Sequence, residues 1–453
     1  MKKNGKSVFA CSECGYQSVR WLGRCPDCAG WNTFMEEVVR RTGSSSAQTD
    51  GLNPERIRDI KVEKVSRVAT GVGEFDRVAG GGVVNGSLIL MAGEPGIGKS
   101  TLLLTISGRL SGLGKKVLYI SAEESRTQVK LRAERLGTSS ENLYLLCTTE
   151  MISIKEALKS LNPDFVIVDS IQTVSDPDIP STPGSVTQVR ENANYFLNYS
   201  KKSGCPVFLI GHITKEGAIA GPKLLEHVVD MVLSFEGEAR SSLRILRASK
   251  NRFGSTSEIG VFSMEENGLL EIPEASSLFL PSLSEHLPGS VIFPNQEGSR
   301  TLLVEIQSLV APSYYGIPKR SVIGIDYNRV SMILAVLEKK VSFSFNSYDV
   351  YCNTGGGLRI SETSSDLALA ISCVSSLKDV PVPGQAVFMG EISLTGEIRH
   401  VPDINRRIGE AERLGFTRAV IPEVNLKDIK VKPSMEIIPV KWLKEAILVS
   451  VKL

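Results

Sequence analysis

The chain has 453 residues, with 52 lysines and arginines against 50 aspartates and glutamates. A hydrophobic content of 42% and a charged content of 23% are typical of soluble globular proteins, and the length suffices for about three domains. The net charge of +2 excludes a uniformly basic nucleic-acid coat but allows local basic patches. No apolar run is long enough to cross a membrane and the basic N-terminus lacks a secretory pattern, so we expect a cytoplasmic protein.

Two CxxC turns lie near the N-terminus, formed by Cys11 with Cys14 and by Cys25 with Cys28. Four thiolates from two tight turns complete the tetrahedral shell that Zn²⁺ prefers. A segment this short cannot build an adequate apolar core, so we expect bound zinc to fold it. Two pairs of redox thiols are the alternative, which is disfavoured because the βαβ unit typical of such thiols is absent.

Three aromatic side chains accompany the CxxC turns. We expect Trp21, Trp31 and Phe34 to pack around the metal. The alternative is that one of them stacks on a nucleic-acid base.

Composition divides the chain into four segments. Residues 1–39 form the zinc module, and the polar, Ser-rich residues 40–61 form a flexible linker. Strand and helix patterns alternate over residues 62–272, which predicts a mostly parallel α/β sheet. Residues 285–453 form a further α/β unit.

A glycine-rich turn joins an apolar strand to an amphipathic helix and matches the phosphate-binding pattern GxxxxGK[ST]. Its backbone N–H groups and the positive end of the helix favour phosphate anions. Lys99 is predicted to reach the β/γ-phosphates of a nucleotide, and Ser100 to bind Mg²⁺. The nucleotide-binding residues are Gly93, Glu94, Pro95, Gly96, Ile97, Gly98, Lys99, Ser100 and Thr101.

Polar residues follow three further apolar strands, where ligands of open α/β sheets bind. Glu123 or Glu124 is a candidate for activating the attacking water, although an acidic pair also suits a helix N-terminus. Asp169 ends a strand typical of a buried central position and is a candidate Mg²⁺ ligand. His212 ends the next strand and is a candidate sensor of the γ-phosphate.

A basic run lies near the end of this domain. It is interpreted as a solvated face, as a nucleic-acid contact, or as a source of charge for a neighbouring subunit's γ-phosphate. Its members are Arg240, Arg244, Arg247, Lys250 and Arg252.

The four cysteines, the phosphate loop and the motif KNRFG together resemble the bacterial RadA (Sms) family over essentially the whole chain. The resemblance implies a RecA-like ATPase that forms a hexameric ring, binds DNA and drives branch migration. It also implies that residues 175–187 and 214–223, the latter with Lys215 and Lys223, face DNA. The motif residues implied in DNA engagement and motor function are Lys250, Asn251, Arg252, Phe253 and Gly254.

The C-terminal unit is similar to the proteolytic domain of Lon. Ser365 aligns with the nucleophile of that domain, whereas Asn405 stands where Lon has its catalytic lysine. An amide cannot take the proton of a serine, so we expect a scaffold without peptidase activity. Ser365 is then a polar residue at a helix N-terminus.

These inferences predict a DNA-dependent ATPase that uses ATP, Mg²⁺ and Zn²⁺ and acts as a ring motor in homologous recombination and DNA repair. Its expected partners are single-stranded and branched DNA, other copies of the chain in a hexamer, and a recombinase such as RecA or the replicative machinery; no membrane is expected. Two alternatives stay open. One is a nucleotide-switched DNA clamp or filament, and the other is an ATP-dependent peptidase.

Overall fold

The structure is a computed structural model that describes residues 6–11, 16–27, 29–39, 56, 66–212, 222–237, 242–274, 276, 280, 287–314, 318–383, 385–430 and 434–451. The chain divides into two compact units, Met1–Ile272 and Pro273–Leu453. The finer division into zinc module, linker and ATPase domain stays a prediction. Among the described residues, no helix is long and apolar enough to span a membrane.

A small antiparallel sheet lies at the N-terminus, made of β1 (Lys6–Cys11), β2 (Gln17–Ser18) and β3 (Phe34–Val39) in the order β2-β1-β3. Cys11, Cys25 and Phe34 form its buried centre. The expectation that Trp21 and Trp31 pack around the metal is wrong, because they are 52% and 70% exposed.

A nine-stranded sheet forms the body of the first unit, flanked by helices. Its elements, with the short ribbon β4–β5, are β4 (Arg67–Val68), α1 (Gly73–Val78), β5 (Val83–Val84), β6 (Leu88–Gly93), α2 (Lys99–Gly112), β7 (Val117–Ser121), α3 (Arg126–Arg135), β8 (Leu143–Cys147), α4 (Met151–Leu161), β9 (Phe165–Asp169), α5 (Val186–Ser203), β10 (Val207–His212), α6 (Pro222–Val228), β11 (Met231–Glu236), β12 (Leu243–Asn251), β13 (Ile259–Glu265) and β14 (Gly268–Glu271).

The strand order is β14-β13-β12-β11-β6-β10-β9-β7-β8. The six strands from β11 to β8 run parallel, and β12 to β14 add an antiparallel edge. One strand, β10, therefore lies between the phosphate-loop strand β6 and the strand β9 that ends in Asp169. The carboxyl ends of the parallel strands meet at one edge, where ligands of such sheets bind.

The central strands are buried on both faces, as their uninterrupted apolar sequence predicts. Phe165 and Ile167 of β9 pack in the core on one side of the sheet, and Val166 and Val168 in the core on the other. The predicted α/β fold with a RecA-like, mostly parallel sheet is confirmed for this unit.

The second unit contains a seven-stranded mixed sheet in the order β17-β18-β16-β15-β19-β22-β23, with a separate two-stranded ribbon. Its elements are β15 (Ser290–Glu297), β16 (Arg300–Pro312), β17 (Arg320–Val322), α7 (Tyr327–Val341), β18 (Tyr348–Thr354), α8 (Asp366–Lys378), β19 (Ala386–Phe388), β20 (Glu391–Ile392), β21 (Ile398–Arg399), α9 (Ile404–Arg413), β22 (Arg418–Pro422), β23 (Glu436–Val440) and α10 (Leu443–Ser450).

Candidate nucleotide-binding site

The phosphate loop connects β6 to α2, as predicted. Gly98 immediately precedes α2 with φ at 117°, a conformation that side chains disfavour. A Cβ at Gly98 would lie 2.7 Å from Met264 Cε, and one at Gly93 would lie 2.7 Å from the Phe235 carbonyl oxygen. Gly93 is therefore required by the close approach of the β11 backbone, and Gly98 by its positive φ, since the end of the Met264 side chain can shift.

Lys99 is 3% exposed. Its Nζ donates hydrogen bonds to the carbonyl oxygens of Gly93 at 2.7 Å and Glu94 at 2.9 Å. Burial lowers the pKa of Lys99 from 10.5 to about 8, although the carboxylates of Asp169 and Glu123 act in the opposite direction. Burial thus disfavours the charged form of Lys99, and bound phosphate anions would favour it.

Asp169 ends β9 and is 5% exposed. Burial raises its pKa, while hydrogen bonds from the Tyr119 and Ser100 side chains lower it. The Tyr119 hydroxyl donates to Asp169 Oδ2 at 2.6 Å. The structure therefore brings together the two predicted Mg²⁺ ligands, Ser100 and Asp169, both with the oxygen atoms that Mg²⁺ prefers.

The structure separates the two candidate carboxylates that follow β7. Glu124 Oε1 pairs with Arg132 Nη2 of α3 at 2.6 Å. Glu123 instead accepts a hydrogen bond from the Ser170 hydroxyl, and its charge acts on the pKa of Lys99. Ser170 follows Asp169 through a cis peptide bond. Glu123 is therefore the carboxylate on the side of the phosphate loop.

His212 ends β10 directly beside the loop, because it pairs in register with Gly93 of β6. Its strand position agrees with the prediction, but its side chain lies outside the described residues. Residues 213–221 with Lys215 also lie outside them, and Lys223 falls in α6 with its side chain likewise outside.

Sequence reasoning missed how the phosphate loop is held. Arg244 of β12 is 6% exposed and its Nε donates to the Ile97 carbonyl at 3.0 Å. Tyr119 supports Asp169 in the same way. A buried arginine in a strand gives no hint of its acceptor, because the two groups are 147 residues apart in the chain.

The described members of the basic run do not form one face. Arg244 is buried under the phosphate loop, whereas Arg247 pairs with Glu236 at 3.6 Å near the surface. Lys250 and Arg252 lie at a third place, near α6. Arg240 lies outside the described residues.

The KNRFG motif closes on the end of α6. Lys250 Nζ donates to the carbonyl oxygens of Glu226 at 2.5 Å and Val229 at 2.8 Å, as cations do at helix C-termini. Asn251 Oδ1 accepts the Phe253 N–H at 2.9 Å and so shapes the turn. Gly254 lies in the same turn, where a Cβ would lie 3.3 Å from Asn251 Nδ2.

Arg252 of the same motif is tied to the phosphate-loop strand. Its Nη1 lies 3.3 Å from Asp230 Oδ1, and Lys201 Nζ lies 2.7 Å from Asp230 Oδ2. Asp230 Oδ2 also accepts the backbone N–H of Leu88, the first residue of β6, at 3.0 Å. One buried carboxylate thus joins the motif to the start of β6.

The N-terminal module fits the predicted zinc site in its two described cysteines. The N–H of Cys11 donates to the Tyr16 carbonyl at 2.9 Å, and that of Cys25 to the Gly30 carbonyl at 2.8 Å. The two turns are therefore closed in the same way, and both thiols are buried in the centre of the module. Cys14 and Cys28 lie outside the described residues.

The side chains aligned with the Lon active site are engaged elsewhere in the second unit. The Ser365 hydroxyl donates to the Glu362 carbonyl at 2.8 Å, immediately before α8. The Asn405 amide donates to the Asp428 carbonyl at 2.7 Å and accepts the Lys430 N–H at 3.0 Å. Asn405 thus fastens a neighbouring loop.

The convergence of Lys99, Ser100, Asp169 and Glu123 at one sheet edge defines the class: a P-loop nucleoside triphosphatase fold of RecA-like architecture. Three family models match parts of the chain. They are an AAA domain at residues 65–218, a rubredoxin metal binding domain at residues 9–36, and subunit ChlI of Mg-chelatase at residues 313–425. They agree with the predicted ATPase, zinc and Lon-like parts.

Full-length relatives identify the family. The chain is 49% identical over 448 residues to the DNA repair protein RadA of Bacillus subtilis, with 98% of each chain covered. It is 47% identical over 449 residues to that of Listeria monocytogenes, again with 98% of each covered. The chain belongs to the RadA family of DNA repair proteins.

Among solved structures, a KaiC-like protein from Pyrococcus horikoshii aligns with 46% of this chain and 100% of that chain. The identity is 19% and the TM-score 0.39.

The hydrogen bond from Arg244 predicts a role in shaping the phosphate loop. We expect Arg244→Gln to weaken ATP binding about tenfold, because the buried Ile97 carbonyl loses a charged donor. Arg247→Gln, on the same strand but paired with Glu236, is the matched control and should bind ATP normally. Fluorescence titration with an ATP analogue measures both; equal affinities would contradict the assignment.

The low pKa of Lys99 predicts that ATP binding takes up protons at alkaline pH. Near pH 7 the amine is already charged, whereas above its pKa of about 8 the phosphates must draw a proton back. Affinity should therefore fall as pH rises above 8. Calorimetry of Mg²⁺·ATP binding in buffers of different ionisation enthalpy measures the uptake.

The matched variant for this measurement is Lys99→Arg, because arginine stays protonated throughout this pH range. We expect it to abolish the extra uptake near pH 9, whatever its affinity. Uptake of the same size in both proteins would assign the proton to another group.

Removal of zinc is expected to unfold the N-terminal module only. A chelator should remove the protection of residues 6–39 from hydrogen exchange and leave β6 protected, because the core around β6 contains no metal ligand from the module. Cys25→Ser should act like the chelator, whereas Cys147→Ser at the end of β8 should keep its metal. Unchanged exchange in the module after metal loss would contradict a structural zinc site.

Proposed function

We propose that the chain is a DNA-dependent ATPase that works as a hexameric ring motor and drives branch migration of recombination intermediates. The observation that carries the ATPase part is the convergence of Lys99, Ser100, Asp169 and Glu123 from three strand ends. The AAA domain match also supports the ATPase, and the relatives named DNA repair proteins support a role in DNA repair.

The residues divide the work of hydrolysis. Lys99 binds the phosphates, and its release from the Gly93 and Glu94 carbonyls accompanies their arrival. Ser100 and Asp169 would hold Mg²⁺, which would supply positive charge to the phosphates. Glu123 orients and deprotonates the attacking water, since Glu124 is committed to Arg132.

His212 is proposed to sense the γ-phosphate, because its strand pairs with the phosphate-loop strand. The stretch 214–223 that follows supplies DNA phosphate contacts through Lys215 and Lys223. The stretch 175–187 has only Asp176 and Asp178 as charged residues, so its DNA contacts must come from the backbone and neutral side chains.

The structure supports a coupling role for the KNRFG motif. The Lys250 ammonium donates to the Val229 carbonyl at the end of α6, the helix that begins within the stretch 214–223. The Arg252 side chain pairs with Asp230, whose carboxylate accepts the N–H of Leu88 at the start of β6. A nucleotide-driven movement of β6 or α6 would therefore change the contacts that Lys250 and Arg252 of the motif make. Partner proteins proposed for the assembly are a recombinase or the replicative machinery.

The C-terminal unit is proposed to be a scaffold without peptidase activity. The Ser365 hydroxyl donates to a backbone carbonyl, which cannot act as a general base. We expect no cleavage of an unfolded test protein with ATP and Mg²⁺.

A three-strand branch-migration assay tests the motor. We expect Lys99→Ala to abolish extension, because the phosphates lose their cation. We expect Lys250→Ala to bind nucleotide nearly normally but to migrate branches poorly, because α6 loses its contact with the motif. Lys202→Ala, on the exposed surface of α5, is the matched control and should retain migration.

Equal extension by the wild type and Lys99→Ala would contradict the proposed motor activity and favour the nucleotide-switched clamp or filament. DNA binding should also weaken steeply with salt, since phosphate contacts dominate it.

A further inference from the structure

The two largest apolar side chains of the N-terminal module lie outside its core. Trp21 is 52% exposed and Trp31 is 70% exposed, whereas Cys11, Cys25 and Phe34 fill the centre. A module of this size has little apolar surface to bury, so leaving two indoles in water forgoes stabilisation it could use. Two exposed aromatics side by side indicate a binding surface.

The two indoles flank one glycine. A Cβ added to Gly23 would lie 3.8 Å from Trp21 Cη2 and Cζ3, and 4.0 Å from Trp31 Cζ3. The backbone holds this arrangement, because Asn32 N–H donates to the Gly23 carbonyl at 2.9 Å and Arg24 bridges with Trp31. The absent side chain at Gly23 leaves the space between the rings open.

Two arginines accompany this pair of tryptophans. The Arg24 guanidinium carbon lies 5.8 Å from the centre of the Trp31 ring. Arg20 is exposed and adjacent in sequence to Trp21. Within residues 16–34, Arg20 and Arg24 stand against one carboxylate, Asp27. Cations next to exposed aromatic faces attract an anionic chain that carries flat rings.

We propose that Trp21 and Trp31 form a stacking site for unpaired bases of single-stranded DNA, with Arg20 and Arg24 at its phosphates. Single-stranded nucleic acid combines free base faces with a regular negative backbone, whereas in duplex DNA the faces are stacked on each other. A protein partner would favour a continuous apolar patch, but here the Arg24 guanidinium lies against the Trp31 ring and the exposed Arg20 precedes Trp21 in the chain. The proposal rests on the proposed function only in that the chain binds DNA.

Tryptophan emission tests the stacking directly. The chain has three tryptophans, so in a Trp442→Phe background all indole emission comes from Trp21 and Trp31. We expect saturating oligothymidylate to quench this emission, because a base stacked on an indole quenches it. Anisotropy of a labelled oligothymidylate, measured in parallel, reports binding itself.

Affinity measurements locate the site. Trp21→Ala and Trp31→Ala should each weaken oligothymidylate binding about tenfold, the usual loss when one stacked base is given up. Trp442→Ala removes an exposed tryptophan of the second unit and is the matched control, expected to change nothing. Zinc content per chain shows that each variant keeps its module folded.

Gly23→Val provides a second route that keeps both rings. Its side chain would occupy the space between them, so both quenching and affinity should fall as in the alanine variants. This variant keeps the proposal testable if an alanine variant loses its zinc.

Three outcomes would overturn the proposal. Oligothymidylate binding without quenching would refute the stacking site and leave the proposed function standing. Unchanged affinity in a zinc-replete double variant, Trp21→Ala with Trp31→Ala, would do the same and point to a protein partner. Absence of any DNA binding by the full chain would refute the proposed function as well.

Discussion

The nucleotide site depends on one buried charge. Lys99 is nearly inaccessible, and its Nζ donates hydrogen bonds to the carbonyls of Gly93 and Glu94. Carbonyl dipoles satisfy an ammonium group only in part, and burial pulls its pKa down to about 8. Phosphate oxygens would add negative charge beside the ammonium group and so favour its protonated form.

Positive and negative side chains meet at the same edge of the sheet and differ in how deeply they are buried. Asp169 is buried and accepts a hydrogen bond from Tyr119, while Glu123 is exposed and accepts one from Ser170. The desolvated carboxylate of Asp169 has a raised pKa, which a bound cation would reverse. Burial disfavours the charged forms of Lys99 and Asp169, and the attraction of Lys99 to Asp169 and Glu123 offsets part of that penalty for the lysine.

The sequence predicted the fold and most of the site because local patterns carry that information. Apolar strands ending in Gly93, Asp169 and His212 define the sheet edge without any knowledge of tertiary contacts. The choice between Glu123 and Glu124 depended on Arg132, whose side chain reaches back from α3. The roles of Tyr119 and Arg244 depended on pairing between distant strands, which no local pattern encodes.

Two further differences have the same origin. The basic run near residue 250 reads as one cluster, but a strand alternates its side chains and the neighbouring elements supply different partners, so Arg244, Arg247 and Lys250 reach separate places. The tryptophans of the zinc module read as core, because apolar size predicts burial. In the structure, Cys11 and Cys25 occupy the centre of the module with Phe34, and the two indoles remain on its surface.

In the contact between Lys250 and the end of α6, only Lys250 contributes a side chain. Both acceptors, the carbonyls of Glu226 and Val229, belong to the backbone. Substitutions of those two residues leave the acceptors in place as long as the helix ends where it does. The contact therefore tolerates substitution of the exposed Glu226 and is lost on changes that shift the helix end, such as proline, whereas Leu225 and Val229 are constrained by their burial in the core.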